Sequence, residues 1–407
     1  MINYKGNKLS VENKYVLKIA KNNQTPFYLY SAKAIKDNFE QFCRVFKKIN
    51  PLICFSVKSN SNPKILRILK GLGAGADVVS GGELLKVLNA GISPKKIVFS
   101  GVGKSTSELK MAIKRKILLI NAESYSEIAL INKLSKSSKR KTSIGLRLNP
   151  DIDAKTLGKI STGRAEDKFG LSRKKLLEVC KNLKEFKHIE LNSLSVHIGS
   201  QILTDVPFKR TLKVIEEIIN KTKTHFKFID LGGGFGISYS SREKRIKLNN
   251  YSNLVDKFKK KYKCKIIFEP GRAIIGNTGI LVSKIQYIKN SSSKSFIIID
   301  AGMNDFMRPA LYGAYHSIVP LIKSKGQSMK NLEFVGPICE TSCKFSSYKK
   351  YYKIKEEDYV AILDVGAYGS VLSSNYNTKP LPAEILIDNN HVKIIRKRQT
   401  LSEIIKN

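Results

Sequence analysis

The chain has 407 residues, a formal net charge of +40 and 42% hydrophobic content, enough for more than one packed core. No long uninterrupted apolar run stands in it, which argues against a membrane span and against a membrane partner. The charge would suit phosphate neutralisation, but the lysines are spread along the whole chain, mostly on polar faces of helical segments such as RKKLLEVCKNLKEFK (173–187). A solvated basic surface is therefore the favoured reading, and no nucleic-acid partner is expected.

The start, MINYKGNKLSVENK, is polar and lacks the apolar stretch of a secretory signal. Six cysteines (Cys43, Cys54, Cys180, Cys264, Cys339 and Cys343) are scattered without the spacing of a disulfide scaffold, so a cytoplasmic setting is expected. TPFYLYS (25–31) reads as a strand that adds to a later sheet. From residue 52 the chain alternates. LICFSVK, ADVVS, KIVFSG, LLINAE, SIGLRLN, SLSVHIG, FKFIDLGGG and KIIFEPG read as strands. Helix-period stretches separate them, among them GELLKVLNAG, SELKMAIKRK, SEIALINKLSK and FKRTLKVIEEIINK. Eight such units between about residues 52 and 272 match a (β/α)₈ barrel, where an open doubly wound sheet would more often stop at about five or six strands. After Gly276 the runs ILVSKIQYIKN, SFIIIDAG, DYVAILDVGAYG, AEILIDNN and HVKIIRKRQT read as strands with little helix. The expected fold is α/β: a TIM-type (β/α)₈ barrel over 32–275, with a second, mainly β domain from 1–31 plus 276–407.

Barrel enzymes carry their chemistry at the C-terminal ends of the strands. There this sequence puts Lys58 after the first strand, His197 after the sixth, GGGFG (232–236) after the seventh and EPGR (269–272) after the eighth. A partly desolvated lysine at a barrel mouth can act as a Schiff-base amine. The glycine loop suits phosphate, whose oxygens accept from exposed backbone N–H groups, although a plain tight turn also accounts for it. A Rossmann nucleotide site is disfavoured, since the loop stands late in the chain without the usual acidic partner. Alone, Glu269 could be a surface carboxylate or helix cap, and His197 a satisfied core histidine. Together with the lysine and the loop, they meet the needs of pyridoxal phosphate. Cys339 and Cys343, spaced CxxxC, lack the further Cys or His that a metal would require, and a buried, inert thiol is the ordinary reading of Cys343.

The set resembles the pyridoxal-phosphate-dependent decarboxylases of the alanine-racemase-like fold, most closely the branch acting on meso-diaminopimelate. The likeness runs from TPFYLYS to RKRQT. It is carried by SVKSNSN, GADVVSGGEL, RLNPDIDAKTLGKISTG, DKFGLS, SVHIGSQI, DLGGGFGI, EPGRAI, DAGMNDFMRPALYGAYH, GPICE and VGAYGSVLSSNYNTKPLPAE, in that order. It implies decarboxylation of meso-2,6-diaminopimelate to L-lysine and CO₂. Relatives of the same fold acting on ornithine, arginine or carboxynorspermidine are the alternative, as is a homologue that binds the cofactor with impaired catalysis.

The resemblance implies that Lys58 holds the cofactor, His197 stacks on its ring and Glu269 pairs with its ring nitrogen. Ser200, Gly234, Gly271 and Arg272 would surround the phosphate, Arg272 also reaching the substrate. Arg308 and Tyr312 would grip the distal carboxylate of the substrate, Cys339 donate a proton, Glu340 bind the distal amine, and Tyr368 contact cofactor and substrate. A homodimer with active sites shared across the interface is implied as well. The family commonly reads Cys-Glu-Ser-Gly-Asp around the proton donor, whereas this chain reads CETSC, with Ser342 where glycine is usual. A glycine there could take a positive φ that serine adopts poorly.

Overall fold

Each of the eight β-rich runs becomes a strand, and in the computed structural model the eight close on themselves. The structure describes residues 2–154, 158–240, 243, 246–326 and 328–406, so the 155–157 part of RLNPDIDAKTLGKISTG lies outside the described residues. Among the described residues the barrel strands are Leu52–Ser56, Gly75–Val78, Ile97–Phe99, Leu119–Ala122, Thr142–Arg147, Ile189–Ser195, Phe228–Asp230 and Lys265–Phe268. All pair in parallel, and the pairing of Ile267 with Leu52 closes the ring. The connecting helices start on a repeated local code. Ser80, Ser105, Ser124 and Ser172 each accept from the backbone N–H three residues on, which satisfies donors that the first helical turn leaves open.

Side chains alternate along a strand, so every second residue of a barrel strand enters the lumen. The lower layer is apolar: Cys54, Val98, Leu119, Phe228 and Ile267 form one buried cluster. One step higher the residues are Ser56, Asp77, Ser100, Asn121, Asp230 and Glu269, all buried. Bonds between strands that are not neighbours show that this layer crosses the lumen: Asn121 of the fourth strand reaches Asp230 of the seventh. Strands buried on both faces are ordinarily almost continuously apolar. A polar layer here is the exception that needs a function.

Outside the lumen Phe42, Phe46, Phe208, Phe235, Tyr251 and Phe268 form an aromatic cluster, with Phe46 and Phe268 ring centroids 4.4 Å apart. It packs the first and last helices of the barrel against the closing strand.

The chain divides into two compact units, one of 39–237 plus 244–273 and the other of 1–38, 238–243 and 274–407. These bounds depart from 32–275 because short segments bond within the second unit: Asn38 donates to the Ile274 carbonyl, and Tyr239 meets Arg308. Among the described residues this unit holds a nine-stranded sheet. Phe27–Ser31 lies between Gly279–Asn290 and Ala383–Asp388, as the reading of TPFYLYS expected. The sequence reading missed Ser328–Val335 and Lys344–Tyr352, a long antiparallel pair, and also the three short N-terminal strands Ile2–Lys5, Lys8–Val11 and Lys14–Tyr15. The charged, largely exposed faces of the antiparallel pair hide its period-two signal.

Phe268 is fully buried, so Phe268→Ala should cost about 3–5 kcal/mol of stability. The urea midpoint should fall accordingly; a midpoint within error of wild type would mean the aromatic cluster does not hold the closing strand.

Candidate functional site

Strand one ends at Ser56 because the next three residues, Val57–Ser59, tighten into a 3₁₀ turn, and Asn62 then caps the helix that begins at Pro63. This turn sets Lys58 at the barrel rim, one inward step above Ser56. Its Nζ lies 3.3 Å from Asp77 Oδ2; the lysine side chain is 34% exposed and Asp77 is fully buried. Ser56 braces the same carboxylate, donating to Asp77 Oδ2 at 2.9 Å.

Two more carboxyls stand in the same layer. Glu269 is held by a hydrogen bond with Asp230, and Ser100 Oγ donates to its Oε1 at 3.5 Å. Asp230 also accepts from the Gly232 N–H at 3.0 Å and from Asn121 Nδ2 at 3.1 Å. Burial raises the Glu269 carboxyl well above its ordinary range; the charges of Asp230 and Asp77 add to this, and Lys58 opposes it. Burial also pushes Asp230 up to about 6. Two carboxyls in contact without water cannot both ionise cheaply, so the pair shares a proton.

Above the carboxyl layer His197 stands at the end of strand six. Its Nδ1 accepts from the Gly233 N–H at 3.1 Å. Desolvation, then Lys58 and Arg147, hold it well below the ordinary histidine range, so the ring is neutral. The glycine turn leaves no room for a side chain. A Cβ on Gly233 would stand 2.1 Å from the Glu269 carbonyl, and Gly234, at φ +90°, would meet the Gly199 carbonyl at 2.4 Å. Beside it Arg272 Nη2 donates to Ser200 Oγ at 3.0 Å, and Gly271 lies tight against Ser59 and Ser56. Lys58, His197, Ser200, Gly234, Glu269, Gly271 and Arg272 thus all sit on the rim and upper lumen of one barrel.

The remaining predicted residues belong to the second unit. Arg308, 5% exposed, donates through Nη1 to Tyr239 Oη and to His316, and Tyr312 ends the same short helix, Arg308–Tyr312. Tyr368 has φ +57°, a left-handed conformation that a tyrosine adopts only where its surroundings impose it. Cys339 is exposed, with Asn377 Nδ2 3.5 Å from its Sγ. Glu340 accepts from Tyr376 Oη and, at 2.8 Å, from Ser342 Oγ, and these two bonds lower its pKa. Ser342 is not among the residues of positive φ, so CETSC forms its turn without the strain expected of serine in a glycine's place. Cys343 is buried and its thiol is pushed up by desolvation, in keeping with an inert cysteine.

Sequence reasoning missed Asp77, Asn121, Asp230, Glu123 and Arg147. The last two form a buried ion pair of 2.7 Å, and Glu123 also accepts from the Gly170 N–H of DKFGLS. For Asp230 a signal was available: it stands two residues before Gly232 of the glycine turn, a polar residue in an otherwise apolar strand.

Residues 32–276 match the family described as pyridoxal-dependent decarboxylase, pyridoxal binding domain. A diaminopimelate decarboxylase of Haemophilus influenzae is 42% identical over 405 residues, covering 98% of this chain and 97% of that protein. The crystal structure of diaminopimelate decarboxylase from Helicobacter pylori complexed with L-lysine superposes with a TM-score of 0.91 at 39% identity, covering 96% of this chain and 98% of that one. That of M. jannaschii in co-complex with L-lysine gives 0.94 at 32% identity, covering 100% of this chain and 96% of that one.

Because burial raises Glu269 and Asp230 in the folded state, the folded protein binds more protons than the unfolded chain between their ordinary and raised values. The stability they contribute is full below the unfolded pKa and is lost as pH rises through the folded one. The melting temperature of cofactor-free Glu269→Gln should therefore gain on wild type as pH rises above the ordinary glutamate range. A constant or shrinking difference would show that no proton is held there.

Proposed function

The chain belongs to the pyridoxal-dependent decarboxylases and, within them, to the diaminopimelate decarboxylases, and on that basis we propose that it converts meso-2,6-diaminopimelate to L-lysine and CO₂, the last step of lysine biosynthesis. The observation that carries this reading is Lys58, paired with buried Asp77, above a lumen in which the Glu269 and Asp230 carboxyls are buried together.

Pyridoxal phosphate is the cofactor, and the residues present fit it. Lys58 would hold it through its amine. Glu269, a carboxyl buried away from water, gains most from a partner that brings a proton or positive charge, as a pyridine nitrogen does. The turn at 232–234 can approach a ligand as closely as bare backbone allows, and Arg272 with Ser200 adds a cation and a hydroxyl suited to phosphate. When bound, the cofactor supplies an electron sink for the bond to the departing carboxylate.

The protein's own groups do the rest. His197 is neutral, with Nδ1 occupied by the Gly233 N–H, so its ring offers a flat face and no charge. Asp230, itself held by Asn121, bonds Glu269 and keeps its proton within the lumen. Arg308, with Tyr312, would bind the distal carboxylate of the substrate, since a planar guanidinium matches both oxygens. Glu340, kept ionised by Tyr376 and Ser342, would bind the distal ammonium. Cys339 Sγ would return a proton to the carbon that loses CO₂, as a positioned general acid. Tyr368 would contact cofactor and substrate.

We further propose that the enzyme works in the cytoplasm as a homodimer with shared active sites. The exposure of Cys339 and Glu340 supports sharing, since both stand on a loop open to a neighbouring copy, and the free state of all six cysteines supports a reducing compartment.

The test is lysine formation by the purified, cofactor-loaded protein from meso-diaminopimelate, with ornithine and arginine in parallel. Lysine from diaminopimelate alone is expected; turnover of ornithine or arginine instead would overturn the substrate. Cys339→Ala should lower kcat by about 10²–10⁴-fold without loss of bound cofactor. Mixing inactive Lys58→Ala with Cys339→Ala should restore activity if subunits share sites, and failure to do so after subunit exchange would reject the shared dimer.

A further inference from the structure

We infer that His316 is a positioning residue for substrate selection: with Tyr239 it fixes the Arg308 guanidinium in one orientation, so that the enzyme favours substrates carrying a second carboxylate. The inference rests on the reading of Arg308 above and adds the residues that make that arginine selective.

The geometry is a closed chain of contacts. Pro309 stands in the first turn of the short helix Arg308–Tyr312, and Gly313, at φ +62°, ends it and turns the chain back, bringing His316 alongside Arg308. His316 is 1% exposed, Arg308 5% and Tyr239 8%. Arg308 Nη1 lies 2.9 Å from His316 Nε2 and 2.9 Å from Tyr239 Oη. The other imidazole nitrogen, Nδ1, is 2.8 Å from the Leu363 carbonyl. A guanidinium carries only donors and a backbone carbonyl only accepts. Nε2 must therefore offer a lone pair to Arg308 while Nδ1 carries the hydrogen, which leaves one neutral tautomer.

Aromatic packing holds that tautomer's ring in place. Tyr239 meets the imidazole edge-on at 4.9 Å between centroids, and Phe306 does so at 4.7 Å. The Tyr239 ring also lies 4.9 Å from Arg308 Cζ. From behind, the Ser346 hydroxyl donates to the His316 carbonyl at 2.8 Å, tying the backbone to the sheet.

Both named acceptors of Nη1 are neutral, so they orient the guanidinium without cancelling its charge. An arginine swings easily about its side-chain bonds, and a swinging arginine binds a carboxylate only after losing that freedom. Here the freedom is removed by folding. The planar fork is set before the substrate arrives, and what selects a dicarboxylate over a diamine-forming amino acid is the fork together with the ring behind it.

The experiment compares His316→Phe, which keeps a ring but has no acceptor, with His316→Gln, whose amide oxygen can accept from Arg308. Both are assayed as cofactor-loaded enzymes on meso-diaminopimelate beside Arg308→Ala. His316→Phe should raise KM about tenfold with kcat altered less than about threefold, and His316→Gln should recover most of the loss. Independently of activity, ¹⁵N-histidine NMR of the wild-type holoenzyme should show an imidazole with Nδ1–H and bare Nε2. That signal should vanish in His316→Gln; if neither variant folds, the wild-type spectrum still decides. A fall in kcat at unchanged KM, equal loss in both variants, or an Nε2–H tautomer would overturn the inference. If Arg308→Ala raises KM while His316→Phe does not, only this inference falls. If Arg308→Ala leaves KM unmoved, the reading of Arg308 falls instead, whatever the spectrum shows.

Discussion

The cost of keeping carboxyls out of water governs the barrel's upper lumen. Asp77, Asp230 and Glu269 are all buried in one layer, and three negative charges there would repel without solvent to screen them. The protein answers with specific partners: Lys58 and Ser56 for Asp77, Asn121 and the Gly232 N–H for Asp230, and a shared proton for Glu269. Lys58 and Ser56 reach Asp77, and Asn121 reaches Asp230, from different strands, so the carboxyl layer and the closure of the barrel support one another. A lumen filled only with aliphatic side chains would be easier to stabilise and chemically silent.

The two-residue period of the strand converts this constraint into architecture. Along strand one, Cys54 packs the apolar layer, Ser56 braces the carboxyls and Lys58 reaches the rim. Along strand seven the same steps give Phe228, Asp230 and Gly232; along strand eight they give Ile267, Glu269 and Gly271. Glycine takes the rim position on these last two strands because the Val196 carbonyl at Gly232, and the Ser56 and Ser59 side chains at Gly271, already fill the space that a Cβ would need. The rim is thus bare backbone beside a lysine, with acid beneath it.

The second unit handles charge in two contrasting ways. Arg308 is buried and locked, its charge oriented by Tyr239 and His316. Cys339 and Glu340 sit on an exposed turn and are positioned by bonds from Asn377, Tyr376 and Ser342. The hydroxyl of Ser342, present where the family commonly has glycine, becomes one of the two groups holding Glu340. A departure that threatened the loop's geometry by its backbone contributes to that geometry by its side chain.

Local pattern carried much of this protein in its sequence. Alternating β-rich and helix-period runs specify a barrel because each strand and helix must bury a face against its neighbours, and the rim residues follow from where each strand stops. Lys58, His197, Glu269 and the glycine turn could therefore be named from spacing and from likeness to a family. The partners of those residues could not. Asn121 meets Asp230 across 109 positions of chain and Ser100 meets Glu269 across 169. Arg308 meets Tyr239 across 69. No local period records such distances, because they arise only when the ring of strands closes or a distant turn is brought beside a short helix. The sequence by itself determined which groups stand at the ends of the strands. The tertiary structure decided which of them hold protons, which are locked and which stay open, since those properties depend on burial and on neighbours that only folding supplies.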